Sequence, residues 1–244
     1  MMLACIGCEW RLRSDFMQSS DDSFIERYDK AESFFLTTGD YSALQQMQTR
    51  YPGETRRLIE DVLKLGTVAD PYIKTRFYGY FQDSTLQMII DEVARQYEDM
   101  SDLDEQLQSA FDRLQELLPG VEIPKVYTQI TSLDQSIVVD SGQLAISLDK
   151  YLGADYPLYR KFGYSDFQLK MMNRENIVPD CISFYLLSLY QKPDTLDRDV
   201  HMGRIQHVVN STLDRKVFEG EHIQQAEQLT AAGCSFAQLL ENRQ

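Results

Sequence analysis

Long hydrophobic runs are absent from this sequence of 244 residues. A helix that crosses a bilayer needs about 18 or more consecutive apolar residues, and no segment of the chain reaches that length. We therefore expect that any link to a membrane is an anchor and not a spanning helix. The hydrophobic fraction of 43% is nevertheless enough to supply a sizeable core in a chain of this length.

Histidine is scarce, and the three histidines are poorly spaced for catalysis. His201 and His207 lie six residues apart, which places them on different faces of a helix, and His222 belongs to another predicted helix. The His-Glu-x-x-His motif of zinc peptidases, the G-x-S-x-G nucleophile elbow and the P-loop are all missing. The sequence therefore predicts no metal site, no cofactor and no catalytic residue.

Positive charge is also limited, because 24 basic residues stand against 38 acidic ones and the formal net charge is -14. A surface of this sign repels phosphate backbones, so we expect no nucleic-acid partner. Two short basic runs, Arg11 to Arg13 and Arg56 with Arg57, are interpreted as ordinary solvated charge.

The four cysteines are too few and too scattered for a disulfide framework or a zinc site. They are Cys5, Cys8, Cys181 and Cys234. A redox Cys-x-x-Cys pair near the start stays open as an interpretation, although such a pair normally follows a strand.

The first eight residues resemble the end of a lipoprotein signal. They are apolar, end in Gly7 and Cys8, and are followed by a polar run. This pattern predicts lipid attachment at Cys8, with Cys5 as the second choice, and a tether over residues 9–20. Because a secretory signal needs a basic segment and a longer apolar stretch before the cysteine, the true start is expected further upstream. A cytosolic start that happens to be apolar is the alternative.

Helical periodicity dominates the rest of the chain. Asp21, Asp22 and Ser23 are predicted to cap a first helix that starts at Phe24, and Ser101 with Asp104 has the spacing of a capping box. Helices are predicted from Phe24 to Gly39, after Asp40, from Pro52 to Gly66, from Asp70, after Asp83 or Ser84, over 101–118, 165–174, 179–190 and 199–213, and from Glu221 onward.

Strand-like alternation occurs in one place, between Ile123 and Leu148. Three strands are predicted there, over 125–130, 136–140 and 144–148, with a tight hairpin at Ser141 and Gly142. The predicted fold class is α+β, predominantly α-helical with a small three-stranded antiparallel β-meander in the middle. Residues 21–244 are predicted to form a single domain that is incomplete at its C-terminus, because the chain ends within a helical pattern.

Three segments in order, Ile123–Thr128, Ile146–Tyr159 and Asn176–Cys181, resemble the GldB-like family of gliding-motility-associated lipoproteins. The resemblance covers roughly residues 8–244 with the flanking helices. It implies a non-catalytic, lipid-anchored protein of the cell envelope that faces the periplasm and works with other gliding or secretion envelope proteins. It also implies a further helical segment beyond the end of this chain.

The order of a strand meander followed by a helix is also similar to the zincin layout of zinc peptidases, in which an edge strand aligns the substrate. Asp180 would then lie near the place of the catalytic glutamate, although both metal-binding histidines are missing. A degenerate zinc-peptidase relative that binds peptide without cleaving it is therefore an alternative function. A simpler interpretation of Asp180 is a first-turn acid beside Pro179 that the helix dipole favours. A cytosolic acidic helical adaptor is a third possibility.

A loop rich in Tyr and Pro is the candidate interaction surface. Its members, taken with Asp180, are Tyr151, Asp155, Tyr156, Pro157 and Tyr159. The alternative interpretation is a packed loop whose tyrosines form local hydrogen bonds.

Overall fold

The computed structural model describes residues 23–241, which form twelve α-helices and four short β-strands. The helices are α1 (Tyr28–Thr38), α2 (Tyr41–Arg50), α3 (Pro52–Arg57), α4 (Ile73–Tyr80), α5 (Ser84–Gln96), α6 (Ser101–Leu117), α7 (Pro157–Lys161), α8 (Asp166–Met171), α9 (Ile177–Leu189), α10 (Arg198–Leu213), α11 (Glu221–Ala231) and α12 (Phe236–Leu240). The strands are β1 (Ile25–Glu26), β2 (Lys125–Gln129), β3 (Ile137–Asp140) and β4 (Gln143–Ser147). A π-helix (Leu58–Val62) continues α3, and short 3₁₀ helices form at Leu148–Lys150 and Arg174–Asn176.

Two helices that start at a local capping side chain begin where the sequence predicts them. Asp83 accepts hydrogen bonds from the backbone nitrogens of Thr85 and Leu86 at 2.8 and 3.3 Å and caps α5. Asp40 accepts one from the backbone nitrogen of Ser42 at 2.6 Å and caps α2. These aspartates satisfy backbone donors that the first helical turn leaves unpaired.

The predicted start of the first helix was wrong. The helix begins at Tyr28, and the residues before it are extended, with Ile25–Glu26 forming β1. The cause is a distant carboxylate: Asp104 of α6 accepts hydrogen bonds from the backbone nitrogens of Phe24 and Ile25 at 3.1 and 2.7 Å. The parallel pairing of Ile25 and Glu26 with Val126 and Tyr127 of β2 keeps this segment extended.

The capping box predicted at the start of α6 was wrong for the same reason. The Asp104 carboxylate is turned toward Ser23, whose hydroxyl donates to it at 2.9 Å, as well as toward the two backbone donors. Asp99 instead accepts a hydrogen bond from the backbone nitrogen of Ser101 at 2.9 Å.

The four strands form one mixed sheet with the order β1, β2, β4, β3. β1 pairs with β2 and β2 with β4 in parallel, and β3 pairs with β4 antiparallel. The tight hairpin at Ser141 and Gly142 is confirmed, but the three-stranded antiparallel meander is wrong because β4 lies between β2 and β3. The predominance of helices is confirmed. Alternation of apolar and polar residues identifies strands, and it carries no information on which strands become neighbours.

One face of this sheet is unusually polar. Lys125 pairs with Gln143, Tyr127 with Ala145 and Gln129 with Ser147, so these side chains share a face. Helix α1 packs on β2, and α9 packs on β3 and β4. Helices before and after the strands in sequence thus cover the sheet, as predicted. Polar side chains on this sheet therefore need hydrogen-bond partners within the protein, and these partners are described below.

Helices α10 and α11 pack very closely near Gly203. A methyl group added at Gly203 would lie 2.5 Å from Cβ of His222, so only glycine permits this approach. These helices belong to one hydrophobic core, whose residues come from along the sequence between Ile25 and Leu240.

Candidate functional site

The carboxyl ends of β1, β2 and β4 meet at one edge of the sheet, because these three strands are parallel. In open sheets of parallel strands this edge is where ligands usually bind. Three acidic side chains lie just beyond it: Asp29 and Glu32 follow β1, and Asp149 follows β4, and all three are buried. We call Asp29, Glu32 and Asp149 the buried acid cluster.

Asp29 is the member with a cationic partner. The Arg27 guanidinium donates two hydrogen bonds to its carboxylate, each at 2.8 Å, and the Thr128 hydroxyl donates a third. Arg27 also donates to the backbone oxygen of Tyr97 at 2.7 Å. This bidentate pair gives Asp29 both a counter-charge and fixed geometry.

Asp149 binds the backbone of the turn over residues 131–135, which we call the clamped turn. Its two carboxylate oxygens accept hydrogen bonds from the backbone nitrogens of Thr131 and Leu133 at 3.1 and 2.5 Å. Ser132 and Leu133 have φ of 53° and 67°, a left-handed conformation that costs a non-glycine residue about 1 kcal/mol or more. The carboxylate offsets that cost. Burial raises the pKa of Asp149, while these backbone donors oppose the rise.

Glu32 is the least compensated member of the buried acid cluster. Its Oε2 accepts a hydrogen bond from the backbone nitrogen of Ile130 at 2.9 Å, whereas its Oε1 has no hydrogen-bond partner among residues 23–241. The side-chain oxygen of Gln129 is also buried and without a partner in that range. Burial raises the pKa of Glu32 well above its usual range, so the neutral carboxyl is favoured.

Aromatic and basic side chains surround the clamped turn. Lys150 Nζ donates to the backbone oxygen of Leu133 at 3.3 Å and to the Tyr164 hydroxyl at 2.8 Å, and that hydroxyl donates to the same oxygen at 2.7 Å. Tyr80 and Ser132 share a hydrogen bond of 2.8 Å between their hydroxyls. The turn is therefore held from three sides and presents the exposed Asp134 to solvent.

Two of the six residues predicted to form an interaction surface bind each other inside the protein. The Tyr151 hydroxyl donates to Asp180 Oδ2 at 2.8 Å, and the backbone oxygen of Tyr151 accepts a hydrogen bond from the Tyr97 hydroxyl at 2.6 Å. Burial raises the pKa of Asp180 to about 6, although the Tyr151 hydrogen bond opposes the rise. Asp180 lies in the first turn of α9 as predicted, but Pro179 is the third helical residue and not the first.

The remaining four predicted residues divide between the interior and the surface. Tyr159 is buried, donates to the backbone oxygen of Asp149 at 2.7 Å and accepts from the backbone nitrogen of Leu152 at 2.8 Å. Tyr156 is half-buried, with its ring centroid 5.1 Å from that of Tyr159. Asp155 and Pro157 are exposed. Tyr151 and Tyr159 thus form local hydrogen bonds, as the alternative interpretation of a packed loop expects. The interaction surface stays a prediction.

The opposite edge of the sheet holds a second charged group that sequence reasoning missed. Arg57 was interpreted as solvated, yet only 13% of its side chain is exposed. Its guanidinium donates to Gln143 Oε1 at 2.6 Å, to Asp140 Oδ2 at 2.9 Å and to the Tyr127 hydroxyl at 3.2 Å. The sequence carried no local signal for these contacts.

Lys125 and Glu54 complete this second group. Lys125 Nζ lies 2.9 Å from Glu54 Oε1 and 3.2 Å from Glu26 Oε2, and Gln143 Nε2 donates to the same Glu54 oxygen at 3.2 Å. We call Glu54, Arg57, Lys125, Asp140 and Gln143 the amino-edge network. It joins α3 to the sheet where α3 passes into the π-helix, a conformation that is often found at functional sites.

The histidines lie on the C-terminal helices, away from both charged groups. His201 and His207 belong to α10, and burial lowers the pKa of each. His207 Nε2 shares a hydrogen bond of 2.9 Å with the Thr230 hydroxyl. Across residues 23–241, no three or more His, Cys, Asp or Glu side chains are placed to hold a metal ion.

The predicted lipid-attachment residues Cys8 and Cys5, and the predicted tether over 9–20, lie outside the described residues. Within the part that the structure describes, no helix has both the length and the apolar character needed to cross a membrane.

A family model described as gliding motility protein GldB matches residues 10–226. This chain belongs to the GldB family. The match confirms the family indicated by the three ordered segments, and it spans the sheet, both charged groups and every predicted interaction residue. This GldB family member has no match among curated proteins and none among solved structures. The family is one of gliding-motility lipoproteins. The predicted lipid-attachment residue Cys8 lies before the matched residues, so the match does not include it.

Proposed function

We propose that this GldB family member is a lipid-anchored, non-catalytic component of the cell envelope that works with other gliding and secretion proteins. The observation that carries the proposal is the family match over residues 10–226. The proposed lipid attachment is at Cys8, with Cys5 as the second choice, and the proposed location of the folded body is the periplasm. The net charge of -14 argues against a nucleic-acid partner.

The chemistry of the buried acid cluster supports a structural role. A general acid or base has to be within hydrogen-bond reach of a reacting group. Asp149 instead uses both oxygens on backbone donors of the clamped turn, and Asp29 is occupied by Arg27 and Thr128. Asp149 thus holds the backbone of the clamped turn, and Asp29 holds two side chains of the protein in position.

The exposed residues around this edge are the proposed contact area for a partner. Asp155 lies on the loop that leads into α7 and Pro157 begins that helix; both are exposed, and the buried Tyr151 and Tyr159 tie the segment to the core. A loop held in one conformation loses little entropy when it binds. We therefore propose that Asp155, Pro157 and the exposed side of Tyr156 contact another envelope protein.

One observation favours the degenerate zinc-peptidase relative as a second candidate. Helix α9 packs on β3 and β4, and Asp180 in its first turn is directed toward Tyr151 beside the sheet. This layout would suit a protein that binds an extended peptide along β3. Stoichiometric zinc in the purified protein, measured by elemental analysis, would instead indicate an intact metal site and contradict both the non-catalytic role and the degenerate relative.

Acylation is the direct test of the anchor. Cells that produce the full-length protein are labelled with radioactive palmitate, and label is expected in the wild type and in Cys5→Ser and absent from Cys8→Ser. Label lost only in Cys5→Ser would move the anchor to the second choice. An unlabelled wild type that fractionates with soluble proteins would overturn the proposal.

The contact area is tested separately in a gliding host from which the gene has been deleted, by measuring how well each variant restores spreading. An Asp155→Lys/Pro157→Glu double variant is expected to fractionate with membranes like the wild type but to restore spreading poorly. Asp166→Lys/Gln168→Glu changes exposed residues of α8 by the same charges and serves as the matched control. Equal rescue by both variants would exclude the 155–157 loop from the function.

A further inference from the structure

Charge is distributed very unevenly along this acidic chain. Residues 41–82, which include α2, α3 and α4, contain six of the 24 basic residues and four of the 38 acidic ones. This segment therefore has a positive balance, as do residues 156–179 with four basic and two acidic residues, although the chain as a whole is strongly negative. Such segregation creates a local field that the net charge of the protein conceals.

The acidic residues of this segment are largely neutralised or enclosed. Glu54 is buried against Lys125, Asp70 pairs with Arg76 at 2.9 Å, and Glu60 accepts a hydrogen bond from the backbone nitrogen of Val68 at 2.7 Å. Asp61 is the exposed exception. Asp40, just before the segment, uses its carboxylate to cap α2.

Exposed tyrosines accompany the basic residues. Tyr41 and Tyr72 are 67% and 69% exposed, the highest values of any tyrosine among the described residues. Lys74 Nζ lies 4.7 Å from the centre of the Tyr41 ring and donates to its hydroxyl at 2.7 Å. Tyr72 lies one helical turn before Arg76, whose guanidinium reaches the backbone at Gly66, two residues after the exposed Lys64. We call Tyr41, Lys64, Tyr72 and Lys74 the α2–α4 surface; Arg76, which pairs with Asp70, borders it.

Tyrosine combined with Lys or Arg is the composition that proteins place at the interface between lipid headgroups and water. The aromatic ring has an apolar body and a polar tip, while the cation meets the phosphate. At physiological salt the screening length is about 8 Å, so acidic residues on the far side of the protein have little influence on this contact.

The chain between the proposed anchor and the folded body limits where the body can be. Fourteen residues separate Cys8 from Ser23, which corresponds to at most about 50 Å when fully extended. A tether of this length keeps the body at a high effective concentration near the bilayer, so a weak docking surface is sufficient.

We propose that the α2–α4 surface docks on the anionic phospholipid surface of the membrane that carries the lipid anchor. This inference rests on the proposed function, because the anchor supplies the proximity. Docking in this orientation turns the acidic remainder of the body away from the lipid and toward the periplasm.

The test uses the full-length chain with Cys5→Ser and Cys8→Ser, so that acylation cannot produce binding. Sedimentation with vesicles of phosphatidylcholine and phosphatidylglycerol in a ratio of 7:3 is compared with vesicles of phosphatidylcholine alone. Lys64→Glu/Lys74→Glu is the surface variant. Lys170→Glu/Lys216→Glu is the control, since both its lysines are exposed and it changes the net charge equally.

The expected result is binding to the anionic vesicles that weakens with salt and falls about tenfold or more in the surface variant, since each basic residue near such a surface contributes roughly fivefold. The control variant should keep most of the binding. Equal losses in the two variants, or no binding at low salt, would overturn the proposal. Circular dichroism melting of both variants establishes that they are folded.

A position-specific measurement separates docking from general attraction. In a Trp10→Phe background, Tyr72→Trp should be quenched by brominated lipid in the anionic vesicles, whereas Phe167→Trp, placed at another exposed aromatic, should not. If instead a photo-crosslinker at Tyr72 captures an acidic protein and the vesicles do not bind, the surface serves a protein partner and the inference is wrong. Failure of palmitate labelling with intact vesicle binding would overturn the anchor alone.

Discussion

At the amino edge of the sheet, Arg57 and Lys125 face Glu54 and Asp140, so charges of opposite sign meet within hydrogen-bond distance. At the carboxyl edge, Glu32 and Asp149 are more deeply buried and depend on backbone nitrogens instead. The amino-edge network is partly solvated and balanced. The buried acid cluster is enclosed and has more carboxyl groups than cationic partners, so each remaining carboxyl group either keeps an unpaired negative charge or binds a proton.

The difference shows what each edge contributes. Ion pairs near solvent contribute little to stability but align elements with geometric precision. Buried carboxylates that bind backbone donors fix a strained turn, and removing one leaves donors unpaired in a region where water cannot replace it. The carboxyl edge should therefore be the more sensitive to substitution.

The largest effect is expected for Asp149→Ala, which removes the acceptor of the clamped turn. The free energy of unfolding should fall by about 3 kcal/mol, because the backbone nitrogens of Thr131 and Leu133 lose their partner. Urea unfolding followed by circular dichroism measures it. Asp134→Ala, an exposed change in the same turn, should stay within about 0.5 kcal/mol, and similar values for both would contradict the clamping role.

A smaller loss is expected at the amino edge. Arg57→Ala should lower the free energy of unfolding by about 1 to 2 kcal/mol, because three acceptors lose one guanidinium. Arg57→Lys should recover only part, since an ammonium cannot reproduce the planar fork. Its neighbour Arg56, which is exposed, offers the matched control. If Arg56→Ala costs as much as Arg57→Ala, the network does not carry this contribution.

Glu32→Gln is expected to raise the free energy of unfolding by about 1 kcal/mol at pH 8, because the amide is neutral without binding a proton and keeps the shape of the carboxyl group. Burial raises the pKa of Glu32 in the folded state. The stabilisation that comes from its bound proton is therefore fully present below its unfolded-state pKa of about 4.3, and it is lost as the pH rises through the folded-state pKa. The wild type should thus lose stability relative to the variant as the pH rises above about 4.3. The exposed change Glu105→Gln should show no such trend, and a variant that is less stable at pH 8 would refute this account.

The smallest effect is expected for Asp140→Asn, which weakens the exposed end of the amino-edge network. The loss should be about 0.5 kcal/mol at low salt and should disappear near 1 M salt, because exposed ion pairs are screened. Denaturant unfolding at the two salt concentrations gives the comparison. A loss that is independent of salt would indicate that Asp140 acts through packing or neutral hydrogen bonds.

The sequence was most informative where the decisive partner is close along the chain. Asp83 and Asp40 cap helices through backbone nitrogens two or three residues away, and Ser141 with Gly142 turns a hairpin. It was least informative where the partner is far away. Asp104 has the spacing of a local cap, yet its carboxylate binds Ser23, 81 positions distant.

The candidate site was predictable in part for the same reason. Tyr151, Tyr159 and Asp180 were selected for their composition and position, and they do lie around the carboxyl edge. Their burial could not be derived, because it depends on how the 149–159 segment packs. The buried acid cluster gave no sequence signal, since a chain with 38 acidic residues offers many similar acids.

Composition and local periodicity alone determined the helical character, the hairpin and the excess of negative charge. The family was indicated by the resemblance of three ordered segments, and the match over residues 10–226 confirmed it. The order of the strands, the first strand, the pairing of Arg57 and the enclosure of Glu32 were decided only by the tertiary structure. Glu32 meets the backbone of Ile130 across 98 positions of sequence. A contact of that kind forms only when several helices have packed on the sheet, because no segment by itself removes a carboxylate from water.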